Sequence, residues 1–291
     1  MTCLSGALAC LWICAVGPLP LSPVVPELPE VETVRRSLES LTGQKLAAVQ
    51  VVDGKLRYPV PRHFGAAATG KKLLSIERIG KYLLWKFADE IFVFHLGMTG
   101  RLLLNQKTDS PYLKLRFRFR RNTVDFIDVR RFGFVLSGDA ARRSLPQSTD
   151  ALQISADALA KSKMRRSRSP VKNLLLDQAI LAGLGNIYLS ELLFIARIDP
   201  RRAGDTLSKE ELKAIAAACR NVLKRAIEAK GSSISDYVYS LPGEKAFQTG
   251  SYQKSFLVYS RDGEACKNCG TKIQRIMQSW RSTFFCPLCQ V

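Results

Sequence analysis

Four cysteines near the C-terminus have the spacing of a metal site. Two residues separate Cys266 from Cys269 and Cys286 from Cys289, and 16 residues lie between the two pairs. Four thiolates at this spacing can complete the tetrahedral shell of a zinc ion, as in zinc ribbons. A closed shell leaves no position for water, so we expect one structural Zn²⁺, with a β-hairpin between the pairs.

A second group of residues has the composition of a phosphate-binding turn. Gly183, Leu184 and Gly185 precede Asn186 and an apolar, helix-like run over 187–196. Glycines let a phosphate approach the backbone, and the first N–H groups of a helix are free to donate to it. The same pattern also occurs in turns that merely join two helices, and both interpretations are open at this point.

The composition of the whole chain indicates a polyanionic partner. Its 291 residues include 44 Lys and Arg against 25 Asp and Glu, which gives a formal net charge of +19. This charge suits nucleic acid or an anionic membrane surface. A hydrophobic fraction of 46% is sufficient for a folded core and excludes a chain that is disordered throughout. With only two histidines, a histidine-rich metal centre is excluded.

The elements that must position these residues begin with a strand-rich part. An apolar stripe predicts a short helix over 29–41. Strand-like runs follow at 45–52, 73–87, 91–96, 102–104, 112–120 and 124–136. They predict a β-sandwich or a barrel up to about residue 140. Within one run, Lys114, Arg116, Arg118 and Arg120 alternate with apolar residues, so this row of cations is predicted to contact phosphate or simply to face solvent.

The second half of the chain has a helical pattern. The segment 161–169 (KSKMRRSRS) is predicted to be a mobile basic linker. Ser208 and Glu211 form a capping box, which predicts a helix that continues to Lys230. Cys219 lies on the apolar stripe of that helix, so we expect a buried structural thiol rather than a reactive one.

The first 25 residues contain no charged side chain and form a separate problem. They lack the positive start of a secretion signal, and prolines interrupt the apolar run before it reaches the length of a membrane span. Three interpretations are open: a secretion signal, a disordered or membrane-associated tail, and a segment that is absent from the working protein. The sequence that follows favours the third.

From residue 26 onwards the chain resembles the formamidopyrimidine-DNA glycosylases, bacterial base-excision enzymes for oxidised purines. The resemblance rests on PELPEVET (26–33), IGKYLLW (79–85), HLGMTG (95–100), DVRRFG (128–133), LLLDQ (174–178), GLGNIY (183–188) and the cysteine motif that ends in RSTFFCPLCQ. It implies an α+β multidomain fold. The expected parts are an N-terminal catalytic β-sandwich with a flanking helix (26–150), a helix-two-turn-helix DNA-binding domain with a basic linker at its start (151–255) and a C-terminal zinc-ribbon finger (256–291).

The resemblance also implies three catalytic residues. Pro26 matches the N-terminal nucleophile, a secondary amine that forms a charged iminium with the deoxyribose. Glu27 matches the carboxyl group that moves protons at the sugar, and Lys81 matches the lysine that holds phosphate and lesion. Because an amide nitrogen is not a nucleophile, Pro26 must be a free amine. We therefore expect the working chain to start there, either after initiation at a GUG codon for Val25 or after proteolysis.

Five further residues are implied to bind DNA. Met98, Arg130 and Phe132 match the trio that fills the gap left by the extracted base, and Asn186 and Arg281 match phosphate contacts. The expected partner is double-stranded DNA that contains damaged bases. We expect a monomer without membrane contact, in the bacterial cytoplasm at the nucleoid.

The predicted function is base-excision repair: removal of 8-oxoguanine and formamidopyrimidines through a Pro26 Schiff base, then strand cleavage by β,δ-elimination. One alternative is an endonuclease VIII-like enzyme for oxidised pyrimidines; Leu28 and Val31 favour the purine branch. The other is a non-catalytic DNA-binding protein, if Pro26 is never freed. The chain departs from the family pattern in three places, which bear on the lesion preference more than on the reaction: a long loop at 243–259, Ser260 where glycine is usual, and Trp280 where a smaller or polar residue is usual.

Overall fold

The computed structural model describes residues 25–106, 110–232, 238–239 and 248–291, so the first 24 residues and part of the long loop at 243–259 lie outside the description. Its six α-helices in the described residues are α1 (Leu28–Ser37), α2 (Gly138–Ser144), α3 (Ala156–Lys161), α4 (Val171–Leu176), α5 (Asn186–Ile195) and α6 (Lys209–Glu228). The strands are β1 (Leu46–Val51), β2 (Ser75–Ile79), β3 (Tyr82–Lys86), β4 (Ile91–His95), β5 (Arg101–Leu104), β6 (Leu113–Phe119), β7 (Thr123–Ile127), β8 (Phe134–Ser137), β9 (Thr149–Asp150), β10 (Leu181–Ala182), β11 (Val238–Tyr239), β12 (Gln248–Thr249), β13 (Gln274–Gln278) and β14 (Arg281–Phe285).

Two four-stranded antiparallel sheets form the predicted β-sandwich. Their strand orders are β1-β6-β7-β5 and β2-β3-β4-β8. Residues of both sheets and of α1 share one apolar core, in which Trp85 packs against Phe94 and Phe117. This core confirms the sandwich and places α1 as its flanking helix.

The register brings three connections to one end of the sandwich. Tyr82, just after the β2–β3 turn, pairs with His95 at the end of β4, and His95 pairs with Phe134 at the start of β8. The β2–β3 turn, the loop after β4 and the loop before β8 therefore lie together. Gly97, in the loop after β4, lies so close to the loop before β8 that a Cβ on it would be 2.4 Å from the carbonyl carbon of Phe132.

The row of cations on β6 is only partly solvated. Lys114 is 1% exposed and binds Asp53 with an Nζ–Oδ2 distance of 2.6 Å, and Arg116 binds the buried Asp125 through two hydrogen bonds. Only Arg118 and Arg120 are exposed. The first half of the row is thus paired with acidic residues from β7 and from the segment after β1, which strand periodicity does not reveal.

Helices α3 to α6 share a second core, which also includes residues of the C-terminal finger. The capping box is confirmed, because the Glu211 N–H donates to Ser208 Oγ at 3.1 Å and the Ser208 N–H donates to Glu211 Oε2 at 2.7 Å. Cys219 is 1% exposed, as expected. The segment 161–169 differs from the predicted linker: it contains a 3₁₀ helix (Lys163–Arg166) anchored by the fully buried Met164.

Strands β13 and β14 form the predicted hairpin between the cysteine pairs, closed by Ser279 and Trp280. Among the helices in the described ranges, none is both long and apolar enough to cross a bilayer.

Candidate active site

The carboxylate of Glu27 accepts backbone N–H groups at the N-terminus of α5. Its two oxygens lie 2.9 Å from the Gly185 nitrogen, 2.9 Å from the Ile187 nitrogen and 3.4 Å from the Tyr188 nitrogen. The positive end of the helix dipole favours an acceptor there. The glycine-rich turn that could have bound phosphate thus binds a carboxylate of the same chain.

The two glycines of this turn are required by close packing. A Cβ on Gly185 would lie 2.2 Å from Glu27 Cδ. Gly183 has a φ of +109°, and a Cβ there would lie 2.6 Å from Leu28 Cδ1. The Leu28 N–H also donates to the Gly183 carbonyl at 3.1 Å. Residues 27 and 28 are therefore fixed against the turn by backbone and side-chain contacts.

Burial controls the protonation of the central pair. It raises the pKa of Glu27 to about 7, although the Lys81 ammonium and the Ile187 and Tyr188 N–H groups act in the opposite direction. Burial also lowers the pKa of Lys81, against the attraction of Glu27. A carboxyl group that titrates near neutral pH is suited to both proton donation and proton acceptance.

Pro26 is buried two residues before the start of α1, and its nitrogen is in the peptide bond with Val25. Glu30, in the first turn of α1, fixes this segment. Its carboxylate accepts the Glu27 N–H at 3.0 Å, the Tyr188 hydroxyl and the Ser232 N–H at 2.8 Å. Sequence spacing gave no signal for the two long-range donors, Tyr188 and Ser232.

Lys81 lies in the two-residue turn between β2 and β3, beside Glu27 and Arg281. Asp150 anchors this turn, because it accepts the Gly80 N–H at 2.8 Å and the Arg78 guanidinium at 2.7 Å. The turn is thus held to the segment that leads into the helical half of the chain.

The implied gap-filling residues lie at the end of the sandwich where the three connections meet. The Arg130 guanidinium carbon is 5.0 Å from the centre of the Phe132 ring, and Phe132 is 46% exposed. Met98, in the loop after β4, is half-buried. The loop before β8 is fixed by Asp128, which accepts the Gly133 N–H at 2.7 Å.

Asn186 contacts the finger hairpin at Ser282, the residue that follows Arg281. The Asn186 side chain donates to the Ser282 carbonyl at 2.9 Å. Lys172, which the sequence analysis did not single out, donates to the same carbonyl at 2.9 Å and to Thr283 Oγ1 at 2.6 Å. Burial, followed by repulsion from Arg281, lowers the pKa of Lys172 to about 7. From the sequence alone, Lys172 could not be distinguished from an exposed lysine on a helix, because its partners lie on the distant finger hairpin.

The four finger cysteines form one cluster, with all sulfur atoms within 4.8 Å of one another. The Cys269–Cys286 and Cys266–Cys289 sulfur distances are 3.5 and 3.9 Å. Ligands about 2.3 Å from a tetrahedral zinc ion are about 3.8 Å apart, so the residues fit Zn²⁺.

Comparison with known proteins decides which family this architecture represents. Three protein-family models match the chain. They are the formamidopyrimidine-DNA glycosylase N-terminal domain over residues 25–135, the formamidopyrimidine-DNA glycosylase H2TH domain over 148–238, and the zinc finger found in FPG and IleRS over 263–291. The chain belongs to the formamidopyrimidine-DNA glycosylase family. Its formamidopyrimidine-DNA glycosylase relatives include that of Paracoccus denitrificans, 38% identical over 286 residues, and that of Gluconobacter oxydans, 39% identical over 285 residues. Each alignment covers 91% of this chain and all of the relative.

Solved structures of the family agree with this assignment. MutM (Fpg) from Thermus thermophilus superposes with a TM-score of 0.78 at 36% identity, over 91% of this chain and 98% of that one. Lactococcus lactis Fpg in complex with abasic-site DNA superposes with a TM-score of 0.79 at 32% identity, over 91% of this chain and 99% of that one. The resemblance, the three-part fold, the zinc finger with one structural zinc and the assignment to DNA glycosylases with lyase activity are therefore confirmed. Base-excision repair of oxidised purines agrees with the family, and the pyrimidine alternative is not favoured.

Two departures from the family pattern fall in the left-handed backbone region. Ser260 has a φ of +60° and Trp280 a φ of +61°. Glycine adopts this region without steric cost. Both departures therefore place a larger residue where the backbone favours a small one.

Proposed function

We propose that the free secondary amine of Pro26 removes oxidised purines from duplex DNA and then cleaves the abasic strand. The observation that carries the proposal is the position of Pro26. It is buried next to Glu27, whose carboxylate is fixed on α5 and has a pKa of about 7.

The chemistry follows from the secondary amine. Its nitrogen forms a bond to C1′ of the deoxyribose while the bond from C1′ to the damaged base breaks. The base leaves with the bonding electron pair and takes up a proton, and the attacking amine loses its N–H proton. Protonation of the ring oxygen then opens the sugar and leaves a charged iminium, which acidifies C2′. Loss of a C2′ proton expels the 3′ phosphate, and a second elimination expels the 5′ phosphate. Water finally hydrolyses the remaining iminium and regenerates the amine.

Glu27 is the proposed proton donor to the ring oxygen and the acceptor in later steps. Lys81, half-buried in its turn beside Glu27, supplies positive charge to phosphate and lesion. Arg130, Phe132 and Met98 are proposed to occupy the space vacated by the extracted base, since extraction costs a few kcal/mol. Asn186 and Arg281 are proposed to bind phosphates on either side of the lesion.

This mechanism requires a start at Pro26, because the nitrogen of a Val25–Pro26 peptide bond has no nucleophilic lone pair. A free α-amine titrates at about 7.7–8.0 and so is partly unprotonated near neutral pH. We propose that the working enzyme lacks residues 1–25, acts as a monomer without membrane contact and works in the cytoplasm, where it meets the chromosome.

Strand cleavage on defined duplexes tests the proposal. A duplex with 8-oxoguanine opposite cytosine should yield a one-nucleotide gap with phosphate at both ends, the products of β,δ-elimination. A matched duplex with thymine glycol should be cleaved much more slowly. Faster cleavage of thymine glycol would support the pyrimidine alternative, and binding without cleavage of either duplex would support the non-catalytic one.

A further inference from the structure

The tip of the finger hairpin carries an unusually exposed aromatic side chain. Trp280 is 95% exposed, more than any other large hydrophobic residue described. It follows Ser279 in the two-residue turn between β13 and β14, and both residues have positive φ angles, +47° and +61°.

Both features of Trp280 are unfavourable for the protein alone. A left-handed conformation costs a residue with a Cβ roughly 1–2 kcal/mol, which glycine avoids. An indole in water also forfeits the free energy that burial of its apolar surface would provide. Among the described residues, none forms a hydrogen bond or a ring contact with this indole. A residue held at such a position is a candidate for contact with a ligand.

The turn has a fixed location next to the active site. Ser282, two residues after Trp280, is anchored through its carbonyl by Lys172 and Asn186, both at 2.9 Å. Asn186 is the first residue of α5, the helix whose N-terminus holds Glu27. The turn that carries Trp280 therefore lies next to Arg281, close to the N-terminus of α5 that holds Glu27.

We propose that the indole of Trp280 packs against the deoxyribose backbone of the bound duplex, beside the phosphate that Arg281 contacts. The net charge of +19 and the adjacent Arg281 favour a polyanion at this surface over another protein. An indole face on a sugar reads no base, so the contact strengthens binding to damaged and undamaged duplexes alike. The proposal rests on the DNA binding of the proposed function but not on the identity of the nucleophile.

Binding to a duplex with a tetrahydrofuran abasic analogue, which the enzyme cannot process, tests the contact. Trp280→Gly suits the left-handed turn and should retain zinc and thermal stability. We expect its affinity to fall about fivefold or more, by analogy with aromatic contacts to single-stranded nucleic acids. The slope of log affinity against log salt should not change, because no charge is lost. The matched control is Leu288→Ala, which removes a 63% exposed apolar side chain at the metal end of the finger and should bind normally.

Fluorescence provides an independent readout on the unaltered indole. The difference between the unaltered protein and Trp280→Phe isolates the emission of Trp280 from that of the fully buried Trp85 and, in a chain that keeps residues 1–25, of Trp12. Duplex DNA should protect this emission from acrylamide quenching. Affinity of Trp280→Gly within twofold of the unaltered protein, or equal quenching with and without DNA, overturns the proposal. If the unaltered protein does not bind the duplex at all, both the proposed function and the Trp280 contact are refuted. If the unaltered protein and Trp280→Gly bind the duplex equally well, only the Trp280 contact is refuted.

Discussion

At the residue scale, Glu27 is subject to two opposing effects. Backbone N–H groups at the start of α5 favour its charged form, and complete burial favours its neutral form. Burial prevails and raises the pKa to about 7. The residue can therefore change protonation state during a reaction at neutral pH.

This pKa sets the expected pH dependence of base excision. The proton-donating form of Glu27 is present below about 7 and is lost as pH rises through that value. The reactive, unprotonated form of the Pro26 amine increases as pH rises and predominates above about 7.7–8.0. The single-turnover rate should therefore be greatest between about 7 and 8 and fall on both sides. A single-turnover rate that stays constant from pH 8 to 9.5 would contradict proton donation by Glu27.

The substitution Glu27→Gln gives a second test of the same role. This variant should retain DNA binding but lose excision.

Phe132 and Phe134 offer a matched pair of substitutions two residues apart. Phe132 is 46% exposed, whereas Phe134 is 4% exposed and stacks on His95. Phe132→Ala should reduce excision from duplex DNA at least tenfold with an unchanged unfolding midpoint, because it removes only the gap filler. Phe134→Ala should lose about 3–5 kcal/mol of stability. If Phe132→Ala unfolds as readily, its ring is a core residue and its assignment as a gap filler is wrong.

At the element scale, the turn before α5 determines where Glu27 lies. Gly185→Ala would place a Cβ 2.2 Å from Glu27 Cδ, so the carboxyl group must move away from the helix N-terminus. We expect excision to fall at least a hundredfold in a protein that still folds and binds zinc. The control is Gly70→Ala, which imposes left-handed strain at a φ of +84° but meets no atom within 4 Å. Normal activity of Gly185→Ala would show that Glu27 need not occupy the observed position.

Local sequence patterns predicted those elements whose signal lies within a short segment. The capping box at Ser208, the alternation along β6 and the cysteine spacing around the finger hairpin are of this kind. The family motifs in turn indicated Glu27, Lys81 and Asn186 as site residues. Their roles stay predictions, whereas the structure shows where each one lies.

Residues whose partners are distant in sequence could not be predicted in this way. Glu30 binds Tyr188 and Ser232, and Lys172 binds the carbonyl of Ser282, over separations of more than 100 residues. Periodicity predicts the face of an element on which a side chain lies. It does not predict which donor or acceptor the neighbouring element places next to that side chain. The same limit explains why Lys114 was expected on a solvated face.

At the scale of the whole molecule, the zinc finger and the helical core form one apolar unit, which includes Cys266 and Phe284. Structural zinc contributes on the order of 10–16 kcal/mol in small finger peptides. Cys269→Ser should therefore lose zinc and most DNA affinity, as measured by metal analysis and fluorescence anisotropy. The control Cys219→Ser alters a buried thiol outside the cluster and should retain one zinc per chain. Full DNA affinity in a zinc-free protein would refute the structural role of the metal.

The net charge of the molecule predicts steep salt dependence. If Lys81, Asn186, Arg281 and the basic segment 161–169 engage about 5–6 phosphates, log affinity should fall with log salt at a slope of about −5. Arg281→Ala should weaken the slope by about 1 without changing the preferred lesion. A slope near zero on duplex DNA would indicate that binding is not through phosphates.

The central claim is that Pro26, as a free amine, attacks the sugar. Borohydride reduces an iminium to a stable amine, so it should join the native enzyme covalently to a duplex that contains 8-oxoguanine. Sequencing the N-terminus of the native protein should read Pro-Glu-Leu-Pro, and mass analysis of the digested adduct should place the sugar on Pro26. A trapped adduct from protein that keeps Met1, or an adduct on Lys81, would contradict the claim.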